Sequence, residues 1–527
     1  MSVARASVVM IAALIASRVL GWLRLSVIGA TFGASPQLDA FWAAFKVPNA
    51  LFELLVAGAL ASAFIPVFAG YLAKEREKDA WHVASSVMNV LILSLIAVSA
   101  VLWIAAPFLV PTIVAPGFEK DPAQLELTIE LTRIMLLSPI FMGLSALVTG
   151  VLQSYRQFLA GAVAPLVYNG VQILFALFAS PFLGVHALAV GVVAGAAMMF
   201  FVQVPELTFR RTKYELTLDL SHSGVREVFL LAGPRTFSLG AVQLVFFVDT
   251  FLASSMPTGS LTALNYAFQL MLLPLGVFSI AISAAVFPTL SHFASLGQAA
   301  KMRDALQQAI RWILFLTLPT AIVMVVLRRP IVNLLFQYGA FGPEARELTQ
   351  AAFLFYALGL AGHALVQILA RAYYASRDTT TPVALTLVSI GANVGLAVTL
   401  APTMGINGLA LANSVATLAE ATLLLGFLAP RARLRLVGLG YTTLKQVTAA
   451  LLMGVGMFLF IRVTNIPFDL VVEPSKPVLL VQTLLATAFG VAVYVLSAYL
   501  LRISELQEVV AFLRTRFRRA PVLTEPT

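Results

Sequence analysis

Between Ser17 and Phe68 an otherwise apolar sequence carries Arg18 and Arg24, then Asp39, Lys46 and Glu53. Arg18 stands about ten residues, ~15 Å of helix, inside its apolar run, too deep for easy snorkelling to interfacial water. A charge at that depth is costly unless it faces a polar or water-filled cavity, so such charges mark transport paths. The residue type narrows the chemistry, because a guanidinium fork donates two parallel hydrogen bonds to a phosphate. Arg18 and Arg24 are ~9 Å apart along a helix and ~120° apart around it, which suits a broad cavity better than one tight site. Asp39, Lys46 and Glu53 recur every seven residues and so share one helix face, Asp39 as an ion-pair partner or gate near its outer end. Pro48-Asn49 removes a backbone donor and adds the polar side chain of Asn49, and it predicts a kink. The competing reading is a salt-bridge knot that only fixes two helices together. A cavity lining is preferred because five charges in two adjacent segments exceed what packing needs.

Composition sets the elements that must hold these charges. The 527 residues are 60% hydrophobic and 11% charged, with mean hydropathy +0.94, whereas soluble domains are roughly 25% charged. The expected fold is an all-α polytopic membrane protein. Runs long enough to cross ~30 Å of hydrocarbon fall at about 8–32, 38–70, 82–107, 126–153, 158–180, 184–208 and 226–255, and then at about 260–291, 303–327, 347–373, 381–401, 406–429, 441–462 and 477–501. That predicts fourteen spans. The first run follows Arg5 without a small-residue cleavage site and is expected to stay as a helix. With the N-terminus inside, 22 of the 34 Lys and Arg fall on the inner side and six on the outer. This bias predicts both termini in the cytoplasm and explains the net charge of +10 without nucleic acid. There is no Cys, only five His, and no Walker motif, nucleophile arrangement or metal-ligand cluster, so enzymatic chemistry is not expected. His186 and His363 are expected to pack, and Glu420 to be a hydrogen-bonded structural acid.

An internal repeat organises the spans. Gly184 to Ala189 recurs as Gly405 to Ala410, and Ala63-Phe64-Ile65-Pro66 as Ala285-Val286-Phe287-Pro288, at an offset of roughly 221 residues. The expected domains are a six-helix lobe over 1–215, a second over 216–430, two additional helices over 431–503 and a basic cytoplasmic tail over 504–527. Six helices per repeat is an even number. The lobes should therefore be related by a pseudo-twofold along the membrane normal, with a substrate site between them near the midplane. The tail is expected to lie on the anionic inner leaflet.

The residues also carry a resemblance. Ser17-Arg18-Val19-Leu20-Gly21, Arg24, Phe32-Gly33-Ala34, Asp39-Ala40-Phe41, Pro48-Asn49, Gly58-Ala59 and Ala63 to Pro66 resemble the MurJ/MviN lipid II flippases of the multidrug/oligosaccharidyl-lipid/polysaccharide exporter superfamily. Further matches fall at Val248-Asp249-Thr250, Tyr266-Ala267, Leu273 to Val277, Phe336 to Gly339, Tyr373-Tyr374, Asp378-Thr379 and Thr381-Pro382. The resemblance implies two six-helix lobes and an extra helix pair forming a groove for a polyprenyl tail. It also implies cavity arginines holding a pyrophosphate. The chain departs from the family pattern at Leu25, Phe52, Ala57, Phe268 and Gln269, where the family usually carries charged residues. Arg235, at the start of the seventh helix, would then compensate in part. Asp249, Asp378 and Asn393 are expected by resemblance to offer oxygens to Na⁺ or H⁺; the alternative is an ion pair of the acids with Arg371 or Arg377.

The expected function is transport of a polyprenyl-pyrophosphate-linked cell-wall precursor from inner to outer leaflet of the bacterial cytoplasmic membrane by alternating access. A monomer among membrane lipids, without cofactor and coupled to membrane potential, Na⁺ or H⁺, would suffice. The alternatives are export of drugs or another polyprenyl-linked substrate, and a non-transporting relative that supports cell-wall assembly.

Overall fold

Hydrocarbon offers backbone groups no water to bond, so long apolar segments must satisfy every N–H and C=O internally, and a helix does so within one segment. The computed structural model describes residues 3–57, 63–208, 214–464 and 475–518, and among them there is no strand. The first six helices are α1 (Val3–Phe32), α2 (Pro36–Phe52), α3 (Glu77–Val114), α4 (Pro122–Ser154), α5 (Leu159–Leu183) and α6 (His186–Leu207). Then come α7 (Ser223–Ser254), α8 (Ser260–Ser295), α9 (Ala299–Val326), α10 (Pro343–Ala375), α11 (Thr380–Met404) and α12 (Ile406–Arg431). Last are α13 (Leu436–Val463), α14 (Lys476–Leu500) and a tail helix, α15 (Ser504–Arg518).

Twelve of these helices are long and apolar enough to cross a membrane. The other two of the fourteen expected spans differ for local reasons. Beyond α2 the chain runs through 58–62, outside the described residues, and resumes as helix Ile65–Ala73. Helix α7 is continuous, but Arg226, Glu227 and Arg235 lie in its first half, and its apolar part is Leu239–Ser254. The predicted kink after Pro48 takes the form of a π turn at Glu53–Ala57. A similar turn ends α3 at Val110–Val114, and others interrupt α5 at Phe175–Ala179 and α8 at Leu275–Ile280, the last directly after Pro274. Proline removes a backbone donor, and the wider turn re-satisfies the freed carbonyls.

Helix ends divide into two chemical classes. On the side expected to face outward, the left-handed residue after a helix is glycine at Gly33, Gly184, Gly339 and Gly405, with Gly259 just before α8. On the side expected to face the cytoplasm it is Glu75, Arg156, Gly297, Arg377, Arg433 or Arg502. Each inner turn closes with the paired bonds of a Schellman motif, as in Arg156 N to Gln153 O at 2.9 Å and Gln157 N to Leu152 O at 2.8 Å. Glycine would fit these positions with less strain, but a cation there also meets the negative helix end and the inner-leaflet charge bias.

The chain forms two compact units. Unit 1 comprises Met1–Tyr266, Phe336–Leu348 and Ala397–Ile406; unit 2 comprises Ala267–Leu335, Thr349–Leu396 and Asn407–Thr527. Packing thus groups α7 and the first turns of α8 with the first six helices, whereas the lobe boundary at 215/216 rests on sequence repetition. In unit 1, Gly33 ends α1 so close to the 336–341 segment that a Cβ there would lie 2.4 Å from the Ala340 carbonyl oxygen. In unit 2 the extra pair packs on α9. Phe315, Met453, Met457 and Tyr494 are buried together, and the Tyr494 hydroxyl donates to the Phe315 carbonyl at 2.8 Å. Their outer faces expose Leu451, Val455, Phe458, Leu484 and Leu485, as lipid contact requires.

The 214–222 segment of unit 1 is strapped to α3. Asn89 Nδ2 donates to the Glu215 and Thr217 carbonyls, and the two ring nitrogens of His82 each lie 3.1 Å from a carboxylate, Glu215 and Asp219. A neutral imidazole has one N–H, so only the imidazolium donates to both. Hydrogen bonds from Ser221 and then His82 hold the Asp219 carboxyl down to about 2 from the ordinary 3.8.

Two outcomes are expected. Arg156→Gly should raise the thermal midpoint of the detergent-solubilised protein, with up to about 1 kcal/mol gained by relieving the left-handed Arg. The Asp219 contribution to the strap is complete above pH 3.8 and is lost as pH falls towards about 2. Protection of the 214–222 amides, measured against their intrinsic exchange rates, should therefore fall across that window, and unchanged protection would mean the acid is idle.

Candidate functional site

Both deep arginines sit on α1, roughly 9 Å apart along its axis. Arg18 is exposed and has no protein partner among the described residues. Arg24 is half-buried. Its Nη1 donates to Gln172 Oε1 of α5 at 3.4 Å, its Cζ lies 5.9 Å from the Tyr168 ring centroid, and its buried Nε has no acceptor. Among the described residues no carboxylate comes within ion-pair distance of either arginine. The other described intramembrane cations are accommodated. Lys46 donates to Asn265 Oδ1 at 3.0 Å and feels the charge of Asp249, Arg311 meets Glu505 at 3.3 Å, and Arg133 lies over Trp103.

The seven-residue face of α2 is used against the start of α8. Asp39, 3% exposed, accepts from Gly259 N at 2.6 Å, Thr262 N at 2.8 Å and Thr262 Oγ1 at 2.7 Å. Two turns on, Lys46 reaches Asn265 of the same helix. Asp39 is therefore a helix cap supplied from another helix: its charge meets the positive end of α8 and satisfies first-turn N–H groups. Asn49 and Glu53 are half-buried, Glu53 opening the π turn. Asp249 is 6% exposed, with Oδ1 lacking a hydrogen-bond partner.

A family model described as lipid II flippase MurJ matches residues 28–476. The chain belongs to the lipid II flippase MurJ family. It is 30% identical over 493 residues to the Rhizobium meliloti protein named "Probable lipid II flippase MurJ", covering 91% of this chain and 90% of that one. It is 32% identical over 377 residues to the lipid II flippase MurJ of Burkholderia cenocepacia, covering 70% and 73%. Two solved structures share the fold. A lipid II flippase MurJ in an inward closed conformation gives TM-score 0.77 at 24% identity over 94% of this chain and 98% of that chain. An inward-facing multidrug resistance MATE transporter gives 0.65 at 17% identity over 82% and 99%.

Not every residue singled out by resemblance to MurJ and MviN lands where that resemblance implies. The Arg235 side chain lies outside the described residues, and Gln269 is half-buried in unit 2. Asp378 and Asn393 cannot share one ion. Asp378 precedes α11 and Asn393 lies ~20 Å along it. Asp378 is instead committed to capping: it accepts from Thr381 N at 3.0 Å and Thr381 Oγ1 at 2.7 Å, and pairs with Arg431 at 2.7 Å. Neither Arg371 nor Arg377 is its partner. Hydrogen bonds from Thr381, then Arg431, hold its carboxyl below the usual range. Asn393 is 3% exposed with Oδ1 unbonded. No cluster of three His, Cys, Asp or Glu able to hold a metal occurs among the described residues. His186 meets Glu130 of α4 at 3.0 Å, His363 meets Asn413 at 2.9 Å, and Glu420 accepts from Thr386 at 2.6 Å.

Sequence reasoning missed Gln172 and Tyr168, the polar neighbours of Arg24. Their signal was an amide pair, Asn169 and Gln172, one helical turn apart inside an apolar run. A cavity of 490 Å³ between α8 and α9, lined by Ile282, Val286, Thr289, Gln308 and Trp312 among others, holds none of the expected site residues.

If Asp39 is the cap of α8, Asp39→Ala strands two backbone donors and should destabilise the protein by about 3 kcal/mol or more, with Asp39→Asn intermediate. Thermal unfolding in detergent reads this directly, and equal midpoints for Asp39→Ala and wild type would remove the cap role.

Proposed function

We propose that this chain is a lipid II flippase, carrying the lipid-linked peptidoglycan precursor from the inner to the outer leaflet of the bacterial cytoplasmic membrane. One observation supports this reading above the others: among the described residues the deep cations of α1 have no acidic counterpart, while Lys46 and Arg311 do. An uncompensated guanidinium at that depth is held for an anion that arrives. A pyrophosphate supplies it, with oxygens placed for the bidentate fork. Arg18 and Arg24 would contact different parts of one head group, given their separation along and around α1.

The driving force follows from charge. With the interior negative, moving a phosphate charge outward gains ~2.3 kcal/mol per charge per 100 mV, before compensation by the arginines. An emptied cationic site is drawn the other way, which resets the carrier. Both termini would face the cytoplasm, as the cation bias implies, and two six-helix lobes would alternate access as a monomer. If Na⁺ or H⁺ also couples, Asp249 is the group suited to it, because its Oδ1 is buried without a partner. Export of organic cations suits these arginines poorly, since like charge repels the cargo.

Complementation of a flippase-depleted bacterium tests the reading. Wild type should restore growth, and Arg18→Ala or Arg24→Ala should not, although both proteins insert at normal abundance. Growth with both variants would make the arginines structural.

A further inference from the structure

We propose that Gln172 of α5 is a positioning residue for transport: it orients the Arg24 guanidinium for a bound pyrophosphate and, being uncharged, leaves the full positive charge of Arg24 available to it. The proposal rests on the flippase reading above.

Gln172 is 4% exposed, and both ends of its amide are assigned. Its Nε2 donates to the Tyr168 carbonyl of its own helix at 3.4 Å, and its Oε1 accepts from Arg24 Nη1 at 3.4 Å. With the donor end turned to backbone, only the oxygen faces the cation. The Tyr168 ring, 5.9 Å from Cζ, supports the guanidinium over its face. One nitrogen and one face are thus held by α5. The remaining donors include Nε, buried with no acceptor among the described residues. Buried donors without partners are rare in folded proteins, and this one belongs to the fork that phosphate oxygens match.

The seat beneath this contact is fixed. Asn169, one turn before Gln172 on the same face, donates to the Pro165 carbonyl at 2.9 Å, and Gly21 of α1 packs beside its amide. Glutamate at 172 would fill the same volume and hold Arg24 more tightly. It would also cancel the charge that the substrate must meet. The neutral amide separates the two tasks, orientation without neutralisation.

That separation gives a test in which stability and binding move differently. Native mass spectrometry with purified lipid II, and with polyprenyl pyrophosphate as a second probe, would compare wild type, Gln172→Glu, Gln172→Met and Arg24→Ala. Gln172→Glu is expected to keep or raise the thermal midpoint while losing about tenfold or more in affinity for both probes. Gln172→Met, which removes the acceptor without adding charge, is expected to weaken binding several-fold in wild type but not further in the Arg24→Ala background. Wild-type affinity in Gln172→Glu would overturn the proposal while leaving the flippase reading intact. Should Gln172→Glu not fold, wild-type affinity in Gln172→Met overturns it equally. Absence of lipid II binding by wild type would remove the flippase reading, and the proposal with it.

Discussion

A carboxylate placed where water cannot follow must be met by donors, and Asp39 is met by three from the first turn of α8. This contact joins residues more than two hundred positions apart and fixes how α8 begins. Around it lie the other ties of the same region. Lys46 reaches Asn265, and the Tyr266 hydroxyl donates to the Leu25 carbonyl at 2.7 Å beside Gly29, whose bare backbone lets the ring approach. Gly259 has φ +87° and sits against Ala34, so the turn entering α8 admits no larger residue without strain. The second and first helices therefore hold the start of the eighth by charge, amide and phenol in successive turns.

The treatment of the other charges follows from that local supply of donors. Structural charges are given partners: Asp39 by backbone amides, Asp378 by Thr381 and Arg431, Arg311 by Glu505. Among the described residues Arg18 and Arg24 have no acidic partner. A membrane protein that leaves two cations without acidic partners in one span carries a standing cost.

The spans, the deep arginines and the shared face of Asp39 and Lys46 were legible in the sequence, because apolar run length and helical period are local properties. The partners of that face were not. Gly259, Thr262 and Asn265 are ordinary in their own context and become ligands of α2 only through tertiary packing. Asp378 shows the opposite failure. The Asp-x-x-Thr pattern ahead of α11 is a helix-start signal readable from four residues, yet family likeness suggested an ion ligand in its place. The tail helix supplies a partner of the same kind: Glu505, 1% exposed, meets Arg311 from a distant part of the chain.

The π turns inside α5 and α8 bear on movement. Such a turn holds an additional residue within the same span of backbone. Each of these helices thus stores slack. Drawing that residue into the regular spiral rotates everything beyond it by ~100° and advances it ~1.5 Å. Carbonyls exchange one donor for its neighbour and none is surrendered to lipid. Two of the membrane helices thus hold a residue in reserve for a change of register, a stepwise motion that a straight α-helix in hydrocarbon could make only by breaking.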